Sequence, residues 1–293
     1  MPDINQQTTR SKVTAGLYIV ATPIGNIADI TLRALDILKQ VDFIACEDTR
    51  VSRKLLSHYG IQAPLLHYDD HSHDSDRNHI LKHIEHGKAV ALISDAGTPL
   101  ISDPGYKLVR QAQKQGLYIT TLPGASSLTT AITLAGLPTN RFLFEGFLPP
   151  KEAGRQKALK NLHSIPATLI FFESARRLDA ALQDMLTVLG DREAAVVREI
   201  TKLFEETRRD KLSALLHHYQ THGLPKGEVV ILVAPPEEII PDNETIDLLI
   251  TEALQSMSVK DAVQSVTEQT GLPRKVIYTR TLELQTKRKD DKY

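Results

Sequence analysis

The sequence predicts an α/β fold, with two α/β domains followed by a small helical domain. Short apolar segments of strand length alternate with helical segments from Leu17 onward, and this alternation starts again after Arg141. A length of 293 residues is enough for two domains and a small addition. The composition, 41% hydrophobic and 24% charged, is typical of a chain that buries an ordinary core.

The first series of segments predicts five strands, each a short apolar run, with helices between them. The strands are expected over residues 17–21, 43–46, 65–68, 89–94 and 117–122. The helices are expected over residues 31–40, 49–57, 76–86, 106–115 and 126–135. Ser75 is expected to cap the third of these helices, and Gly87 to end it.

The second series predicts four strands and three helices, with no sequence repeat of the first. The strands are expected over residues 142–146, 168–172, 194–198 and 228–234, and the helices near 151–163, 177–189 and 210–222. We therefore predict an N-terminal α/β domain over residues 16–122 and a second one over 123–236. Residues 1–15 are expected to be a disordered extension.

The last part of the chain differs in composition. Residues 235–257 contain six acidic residues and no lysine or arginine, and the pair Pro235-Pro236 stops the preceding strand, so an acidic linker is expected here. Helices are predicted over residues 258–268, capped by Ser258, and 274–284, with a turn at Gly271 between them. This spacing is typical of a helix–turn–helix, and residues 237–293 are predicted to form a small helical domain with a basic tail.

Charge and cysteine content limit the function classes. Lysine and arginine total 35 against 36 acidic residues, which excludes binding of nucleic acid by overall positive charge and requires a local patch instead. The single cysteine, Cys46, excludes an intramolecular disulfide and a multi-cysteine metal site. No apolar run reaches the ~18 residues of a membrane span, and no signal peptide is evident. We expect a cytoplasmic protein without membrane association.

Three loops rich in small residues follow predicted strands, over residues 21–26, 94–105 and 123–127. Open α/β sheets bind ligands beyond the carboxyl ends of their strands. Glycine lets a ligand approach the backbone, and proline fixes the turn. Each loop alone is also typical of an ordinary turn, but three of them at consecutive strand ends favour a shared cleft. The glycine fingerprints of dinucleotide and nucleoside triphosphate sites are absent from the sequence.

Three other patterns leave alternatives open. Residues 71–76 are similar to the start of a metal-hydrolase motif, but Asp76 stands in the place of its last histidine, so a solvated helix cap is favoured. Residues 47–50 either cap a helix or face a cleft. Phe142, Phe144 and Phe147 precede the basic residues Lys151, Arg155, Lys157 and Lys160. This last pattern fits either single-stranded nucleic acid or a strand followed by a solvated helix.

Six motifs occur in order along the chain. They are Ala21-Thr22-Pro23-Ile24-Gly25-Asn26, Glu47-Asp48-Thr49-Arg50, the segment 94–105, Pro123-Gly124-Ala125-Ser126, Phe171-Phe172-Glu173-Ser174, and Arg198-Glu199-Ile200-Thr201-Lys202. Together they closely resemble the bacterial cytidine 2′-O-methyltransferases of small-subunit ribosomal RNA, a branch of the tetrapyrrole methylase superfamily. The resemblance extends over about residues 16–285.

The resemblance implies a class III methyltransferase fold, a homodimer, and S-adenosylmethionine bound in a cleft between the two α/β domains. The implied cofactor contacts are Ile24, Ala96, Gly97, Thr98, Ile101, Ser126, Ser127 and Phe172. The implied substrate is a cytidine of the 16S rRNA, at the decoding centre of an assembled small subunit. The wider superfamily has Gly-Pro-Gly-Asp and Gly-Asp-Pro where this chain has Thr-Pro-Ile-Gly-Asn and Gly-Thr-Pro, which disfavours a tetrapyrrole substrate.

Four ionisable residues of the matching motifs are candidates for catalysis: Glu47, Asp48, Arg50 and Lys202. A ribose hydroxyl is a poor nucleophile, so a base or a cation near the developing alkoxide is expected, and no metal is required. Adjacent residues of an extended segment face opposite ways. We therefore expect Asp48 to cap the helix, Glu47 to act as the base, and Arg50 to contact a phosphate or the alkoxide. Lys202 is the rival base.

Two other functions remain open at this point. The same fold could methylate a small molecule such as a corrinoid, although the helical domain favours a large polyanionic substrate. Alternatively, the chain could be a DNA-binding regulator whose recognition helix, residues 274–284, carries Arg274, Lys275 and Arg280.

Overall fold

The computed structural model of the protein describes residues 13–69, 74–237 and 242–290, with the side chains of the last helix as far as residue 285. The chain divides into two units, Met1–Pro236 and Glu237–Tyr293. The first unit contains two five-stranded sheets, and the second is helical. No described helix has the length and apolar character needed to cross a membrane.

The first sheet is entirely parallel. Its strands are β1 (Gly16–Val20), β2 (Phe43–Cys46), β3 (Leu65–His67), β4 (Ala89–Ile93) and β5 (Ile119–Leu122), in the spatial order β3-β2-β4-β1-β5. Its helices are α1 (Leu32–Leu38), α2 (Thr49–His58), α3 (Asp74–Glu85) and α4 (Tyr106–Lys114). Apolar clusters cover both faces, which explains why the inner strands are continuous apolar runs in the sequence.

The second sheet is mixed. Its strands are β6 (Phe142–Phe147), β7 (Thr168–Ser174), β8 (Glu193–Arg198), β9 (Glu206–Lys211) and β10 (Glu228–Val233), in the order β6-β7-β10-β8-β9. Only β6 and β7 are parallel to each other. Its helices are α5 (Ser127–Ala135), α6 (Glu152–Leu162), α7 (Leu178–Leu189) and α8 (Leu212–His222). Apolar residues of α5 pack on one face of this sheet.

The helical unit has a small core of its own. Helices α9 (Asn243–Ser256), α10 (Val259–Thr270) and α11 (Arg274–Asp290) surround the buried side chains of Ile246, Ile250, Val263, Val266 and Ile277. Ser258 caps α10 as predicted, since its hydroxyl oxygen accepts a hydrogen bond from the amide of Asp261. Residues 258–290 therefore contain the predicted helix–turn–helix pair.

Three details of the sequence prediction were wrong. The acidic linker contains helix α9, because Ile246 and Ile250 recur at helical spacing among the acidic residues and face the core. Strand β9 was missed because Glu-Thr-Arg-Arg-Asp-Lys has no apolar residue and lies at a sheet edge. Ser75 lies inside α3 and does not cap it. Residues 70–73, with two of the predicted metal-motif histidines, lie outside the described residues, as does most of the predicted extension 1–15.

Candidate active site

A cavity of about 460 Å³ lies between the two sheets of the first unit, and we call it the cofactor pocket. Its walls come from the loop after β4, the start of α5, the end of β7 and the start of β10. The volume is within the range of small-molecule sites. Seven of the eight predicted cofactor contacts line it: Ala96, Gly97, Thr98, Ile101, Ser126, Ser127 and Phe172. The structure therefore brings together residues from three separate motifs.

Ile24, the eighth predicted contact, does not line the cofactor pocket. It lines a neighbouring cavity and packs against Gly97, where a Cβ atom would lie 3.2 Å from the Ile24 Cγ2 atom. Gly97 also has a φ of +80°, a backbone conformation that favours glycine, and a side chain here would be in tight contact with Ile24. Ile24 thus packs behind Gly97, which lines the cofactor pocket.

Hydrogen bonds from backbone amides and one side-chain hydroxyl connect the three loops that follow β1, β4 and β5. Thr22 and Gly97 each donate an amide hydrogen bond to the other's carbonyl oxygen, at 2.8 and 3.0 Å. The Thr98 hydroxyl donates to the carbonyl oxygen of Ala125 at 3.0 Å. Leu100 and Ser102 adopt left-handed backbone conformations, with φ of 75° and 61°, and such strain in non-glycine residues is concentrated at binding sites. The three loops therefore form one continuous, hydrogen-bonded wall of the pocket.

The opposite wall of the pocket is aromatic with one buried acid. The Phe172 ring makes edge contacts with Phe144 and Phe147, at centroid distances of 4.8 and 5.7 Å. Glu173 is only 3% exposed, and its Oε1 atom accepts hydrogen bonds from Arg177 Nε and the Ser174 amide, both at 2.7 Å. The Glu173 carboxylate is ion-paired with Arg177 at 2.6 Å. The aromatic rings beside it offer an apolar surface that fits the adenosine part of S-adenosylmethionine.

The remaining part of the aromatic–basic segment is partly structural. Arg155 is buried in an ion pair with Asp184, at 2.5 Å between Nε and Oδ2, and it also donates to the carbonyl oxygen of Pro150. Arg155 is therefore not free to contact nucleic acid. Lys157 and Lys160 are exposed on α6, as expected for a solvated helix.

A second cavity, of about 410 Å³, contains the acidic motif that follows β2, and we call it the carboxylate pocket. Its lining consists of Glu47, Asp48, Thr49, Arg50, His67 and Asp95. Asp48 caps α2 as predicted, since its Oδ1 atom accepts from the Arg50 amide at 2.7 Å. Hydrogen bonds from Arg50 hold the pKa of the Asp48 carboxyl well below its usual range. Asp48 is thus an ionised cap that is poorly suited to accept a proton at neutral pH.

Asp95 is the functional candidate that the sequence prediction missed. It lines the cofactor pocket, the carboxylate pocket and a third cavity, and its Oδ1 atom accepts a hydrogen bond from the Asp48 amide at 3.2 Å. In the sequence it is hidden inside a loop of small residues, where only its position directly after a buried strand indicates a site. Asp95 therefore joins Glu47 as a candidate base.

The third cavity, of about 420 Å³, is called the acceptor basin below. Its lining consists of Pro23, Ile24, Gly25, Ile27, Lys54, Leu55, His58, Asp95, Ala96, Lys202 and Glu228. The first loop approaches residues 200–202 so closely that a Cβ at Gly25 would lie 2.7 Å from the Ile200 carbonyl oxygen. The Asn26 amide also donates to the Thr201 hydroxyl oxygen at 3.0 Å. The basin therefore adjoins the cofactor pocket through Asp95, Ala96 and Glu228.

Lys202 is held by two carboxylates in this basin. Its Nζ atom lies 3.0 Å from Glu199 Oε1 and 3.1 Å from Glu228 Oε2. Burial acts to lower the pKa of Lys202, but the hydrogen bonds to Glu199 and Glu228 outweigh it and raise that pKa above its ordinary value. The ammonium group is therefore charged at neutral pH and suits a cationic role better than that of a base.

We expect Lys202→Arg to retain most of the methylation rate and an unchanged pH profile between about pH 6 and pH 9, because arginine keeps the charge and cannot lose a proton. Lys202→Met should be much slower, since it leaves Glu199 and Glu228 without their cation. Single-turnover rates across this pH range measure both. An inactive arginine variant that still binds the cofactor would restore Lys202 as the base.

Comparison with known proteins decides the family. A family model described as Tetrapyrrole (Corrin/Porphyrin) Methylases matches residues 16–216, and a model described as the RsmI C-terminal HTH domain matches residues 241–285. The chain belongs to the tetrapyrrole methylase family. Members of this family use S-adenosylmethionine, so the chain is a methyltransferase with this cofactor. The predicted fold class and the predicted family are confirmed.

Several relatives with the same name match nearly the whole length of this tetrapyrrole methylase. Proteins named Ribosomal RNA small subunit methyltransferase I are 51% identical in Erythrobacter litoralis, 47% in Mesorhizobium japonicum and 42% in Escherichia coli O157:H7. Each match covers 92% of this chain and 96%, 92% and 95% of the relative, respectively. Both domains and the helical unit are therefore shared with these relatives.

Solved structures show the same fold at lower identity. Diphthine synthase superposes with a TM-score of 0.58 at 16% identity, over 74% of this chain and 89% of that one. The cobalt precorrin-4 methyltransferase superposes with a TM-score of 0.52 at 20% identity, over 74% and 94%. These similarities support the tetrapyrrole methylase fold of the first unit.

Within the described residues, no three histidine, cysteine, aspartate or glutamate side chains come together as a metal site would require.

Proposed function

We propose that this protein transfers a methyl group from S-adenosylmethionine to the 2′-hydroxyl group of a cytidine in the 16S rRNA of the small ribosomal subunit, at its decoding centre. The observation that carries the proposal is the 42–51% identity, over 92% of the chain, to relatives named as small-subunit rRNA methyltransferases. The site supports it, because the cofactor pocket adjoins a basin of suitable volume for a nucleoside.

The cofactor supplies the methyl group as an electrophilic carbon on a sulfonium. The residues Ala96, Gly97, Thr98, Ile101, Ser126, Ser127 and Phe172 would hold it, with Ile24 behind them. Alignment of donor and acceptor in a site closed to water supplies several kcal/mol of the barrier. The chain's own task is to place the ribose hydroxyl and to accept its proton.

Of the two candidate bases, Asp95 is better placed than Glu47. Both line the carboxylate pocket, but only Asp95 also borders the cofactor pocket and the acceptor basin. Asp48 is engaged as the cap of α2. In this proposal Asp95 accepts the hydroxyl proton and the ammonium group of Lys202 stabilises the developing negative charge. Arg50, whose guanidinium is ion-paired with Asp48 at 2.7 Å, would exchange that partner for a phosphate.

A labelling assay with a tritiated methyl donor tests the proposal. We expect label in small ribosomal subunits, less label in naked 16S rRNA and none in duplex DNA. Nuclease digestion of the labelled RNA should release 2′-O-methylcytidine. Labelled corrinoids without labelled RNA would instead establish the small-molecule alternative.

The ion pairs of Arg280 in the helical unit weaken the alternative that the chain is a DNA-binding regulator. Arg280, one of the three cations of the proposed recognition helix, is ion-paired with Asp247 at 2.6 Å and with Glu283 at 3.0 Å. An arginine with two carboxylate partners must give them up before it can contact a phosphate. We therefore favour a role of this unit in docking on the ribosomal subunit.

Truncation after Pro236 tests that docking role. The helical unit contributes no described residue to the cofactor pocket, so the shortened chain should bind S-adenosylmethionine with unchanged affinity. Methylation of small subunits should fall sharply, mainly through a higher KM. Calorimetric titration and steady-state kinetics measure the two effects. Equal methylation by the truncated and full-length chains would remove the docking role.

The proposal includes a homodimer in the cytoplasm, which the resemblance implies. Light scattering of the purified chain measures the mass of the particle and tests the dimer directly.

A further inference from the structure

The loop between β8 and β9 exposes two adjacent apolar side chains. Leu203 is 90% exposed and Phe204 is 66% exposed. Exposed large apolar residues that cluster at one place indicate a contact site. We call these two residues the apolar tip.

The apolar tip stands on a rigid loop at the edge of the acceptor basin. Glu199 and Thr201 adopt left-handed conformations, with φ of 48° and 64°. The Thr201 amide donates to Glu205 Oε2 at 2.6 Å, and the Lys202 amide donates to the Glu199 carbonyl oxygen at 2.9 Å. Strained backbone persists only where its surroundings over-determine it. Because Lys202 lines the basin, the tip directly after it is fixed beside the basin.

Helix α2 brings positive charge to the same basin. Its ten residues include Arg50, Arg53, Lys54 and His58 and no acid, and all four side chains are exposed. Arg50 is ion-paired with Asp48 at 2.7 Å, whereas Arg53 and Lys54 form no salt bridge among the residues that the structure describes. Lys54 and His58 line the basin. Arg53 and Lys54, on the exposed surface of the helix that borders this nucleoside-sized cavity, suit the phosphates of a nucleic acid strand.

We propose that the acceptor nucleotide arrives in an unpaired RNA segment whose phosphates contact the exposed face of α2 and whose neighbouring base stacks on Phe204. This inference rests on the proposed function and adds the conformation of its substrate. In a paired A-form helix the bases are already stacked and inaccessible to such a side chain, whereas unpaired bases stack readily on aromatic rings.

A second copy of this chain fits the apolar tip less well than RNA does. Stable protein interfaces bury at least roughly 1,200 Å² in total, far more than two side chains at the end of a loop provide. Interface cores are also poor in charge, whereas the loop that carries the tip contains Glu199, Lys202 and Glu205. The dimer contact is therefore the alternative outcome of the test.

Phe204→Ala in the full-length chain tests the base contact. We expect kcat/KM on small subunits to fall between about 5-fold and 150-fold, the range that loss of one base–aromatic stack gives. Phe204→Trp should restore it. Cofactor affinity and the mass of the particle should be unchanged. Phe142→Ala is the matched control, because Phe142 is an exposed phenylalanine outside the cofactor pocket and the basin.

The double substitution Arg53→Gln with Lys54→Gln tests the phosphate contacts. The slope of log affinity for a single-stranded RNA of the target sequence against log salt should become shallower by about 1.4, since each phosphate contact on a single strand contributes about 0.7. Lys157→Gln with Lys160→Gln, on exposed positions of α6, should leave the slope unchanged.

The outcomes separate this inference from the proposed function. Full activity of Phe204→Ala, or a lighter particle in that variant, would overturn the stacking contact while native methylation continued. An unchanged salt slope in the α2 variant would overturn the phosphate contacts. Absence of methyl transfer by the native protein would instead reject the proposed function, and RNA binding would still test the tip and α2.

Discussion

Replacement of Asp95 by asparagine is expected to lower the single-turnover rate of RNA methylation by roughly 10²–10⁴, the usual contribution of a general base. Asparagine keeps the oxygen that accepts a hydrogen bond from the Asp48 amide, so the loop should remain in place. It cannot accept the proton of the ribose hydroxyl. Affinity for S-adenosylmethionine should therefore stay within about twofold, because only the transition state loses an interaction.

The matched variants are Glu47→Gln and Asp36→Asn. Asp36 is an exposed aspartate on α1, and its substitution should have no effect. Glu47→Gln should be slower than the native protein but faster than Asp95→Asn, since Glu47 lines only the carboxylate pocket. A normal rate for Asp95→Asn together with a large loss for Glu47→Gln would return the role of base to Glu47, as the sequence alone suggested.

Thr98→Lys is expected to weaken binding of S-adenosylmethionine by at least about tenfold. The substitution places a long cationic side chain in a pocket that must accept a sulfonium, and two like charges 4 Å apart repel by about 4 kcal/mol near a protein surface before solvent screening. It also removes the hydroxyl that donates to the Ala125 carbonyl oxygen. Both effects act on the same wall of the pocket. Calorimetric titration measures the affinity directly.

Two control variants show whether the loss of affinity comes from a positive charge placed in the pocket. Thr98→Val removes the hydroxyl without adding charge, and it should lose much less affinity than the lysine variant. Thr133→Lys adds the same charge at an exposed position of α5 and should bind the cofactor normally. Unchanged affinity in a folded Thr98→Lys variant would remove Thr98 from the cofactor site.

The sequence predicted most of the α/β architecture because its inner strands are buried on both faces and read as continuous apolar runs. Edge strand β9 carries no such signal, since its six residues are polar. Helix α9 was missed because the six acidic residues of segment 235–257 were taken to indicate a linker, although Ile246 and Ile250 are buried in the core and Leu249, Ala253 and Leu254 pack against it. Local patterns therefore predicted the interior well and the periphery poorly.

The candidate site divides in the same way. Loops after strand ends predicted that a cavity would lie beside them, because parallel strands bring their carboxyl ends to one edge. The proposed role of Asp95 as the base could not be predicted, because it depends on three cavities that meet at this residue only in the folded chain. The charge state of Lys202 likewise depends on Glu228, which is distant in the sequence. Such residues become visible only through tertiary contacts.

The walls of the cofactor pocket come from both sheets, and this has a consequence for folding. A chain in which only the first sheet has formed possesses half of the pocket, so binding of S-adenosylmethionine is coupled to the folding of the entire α/β unit. A ligand present at about 100 times its Kd raises the free energy of unfolding by roughly 2.7 kcal/mol. The helical unit has its own core and supplies no described residue to the pocket. On the proposed cofactor site, S-adenosylmethionine is therefore expected to protect the α/β unit against unfolding and proteolysis, while the helical unit should gain no such protection.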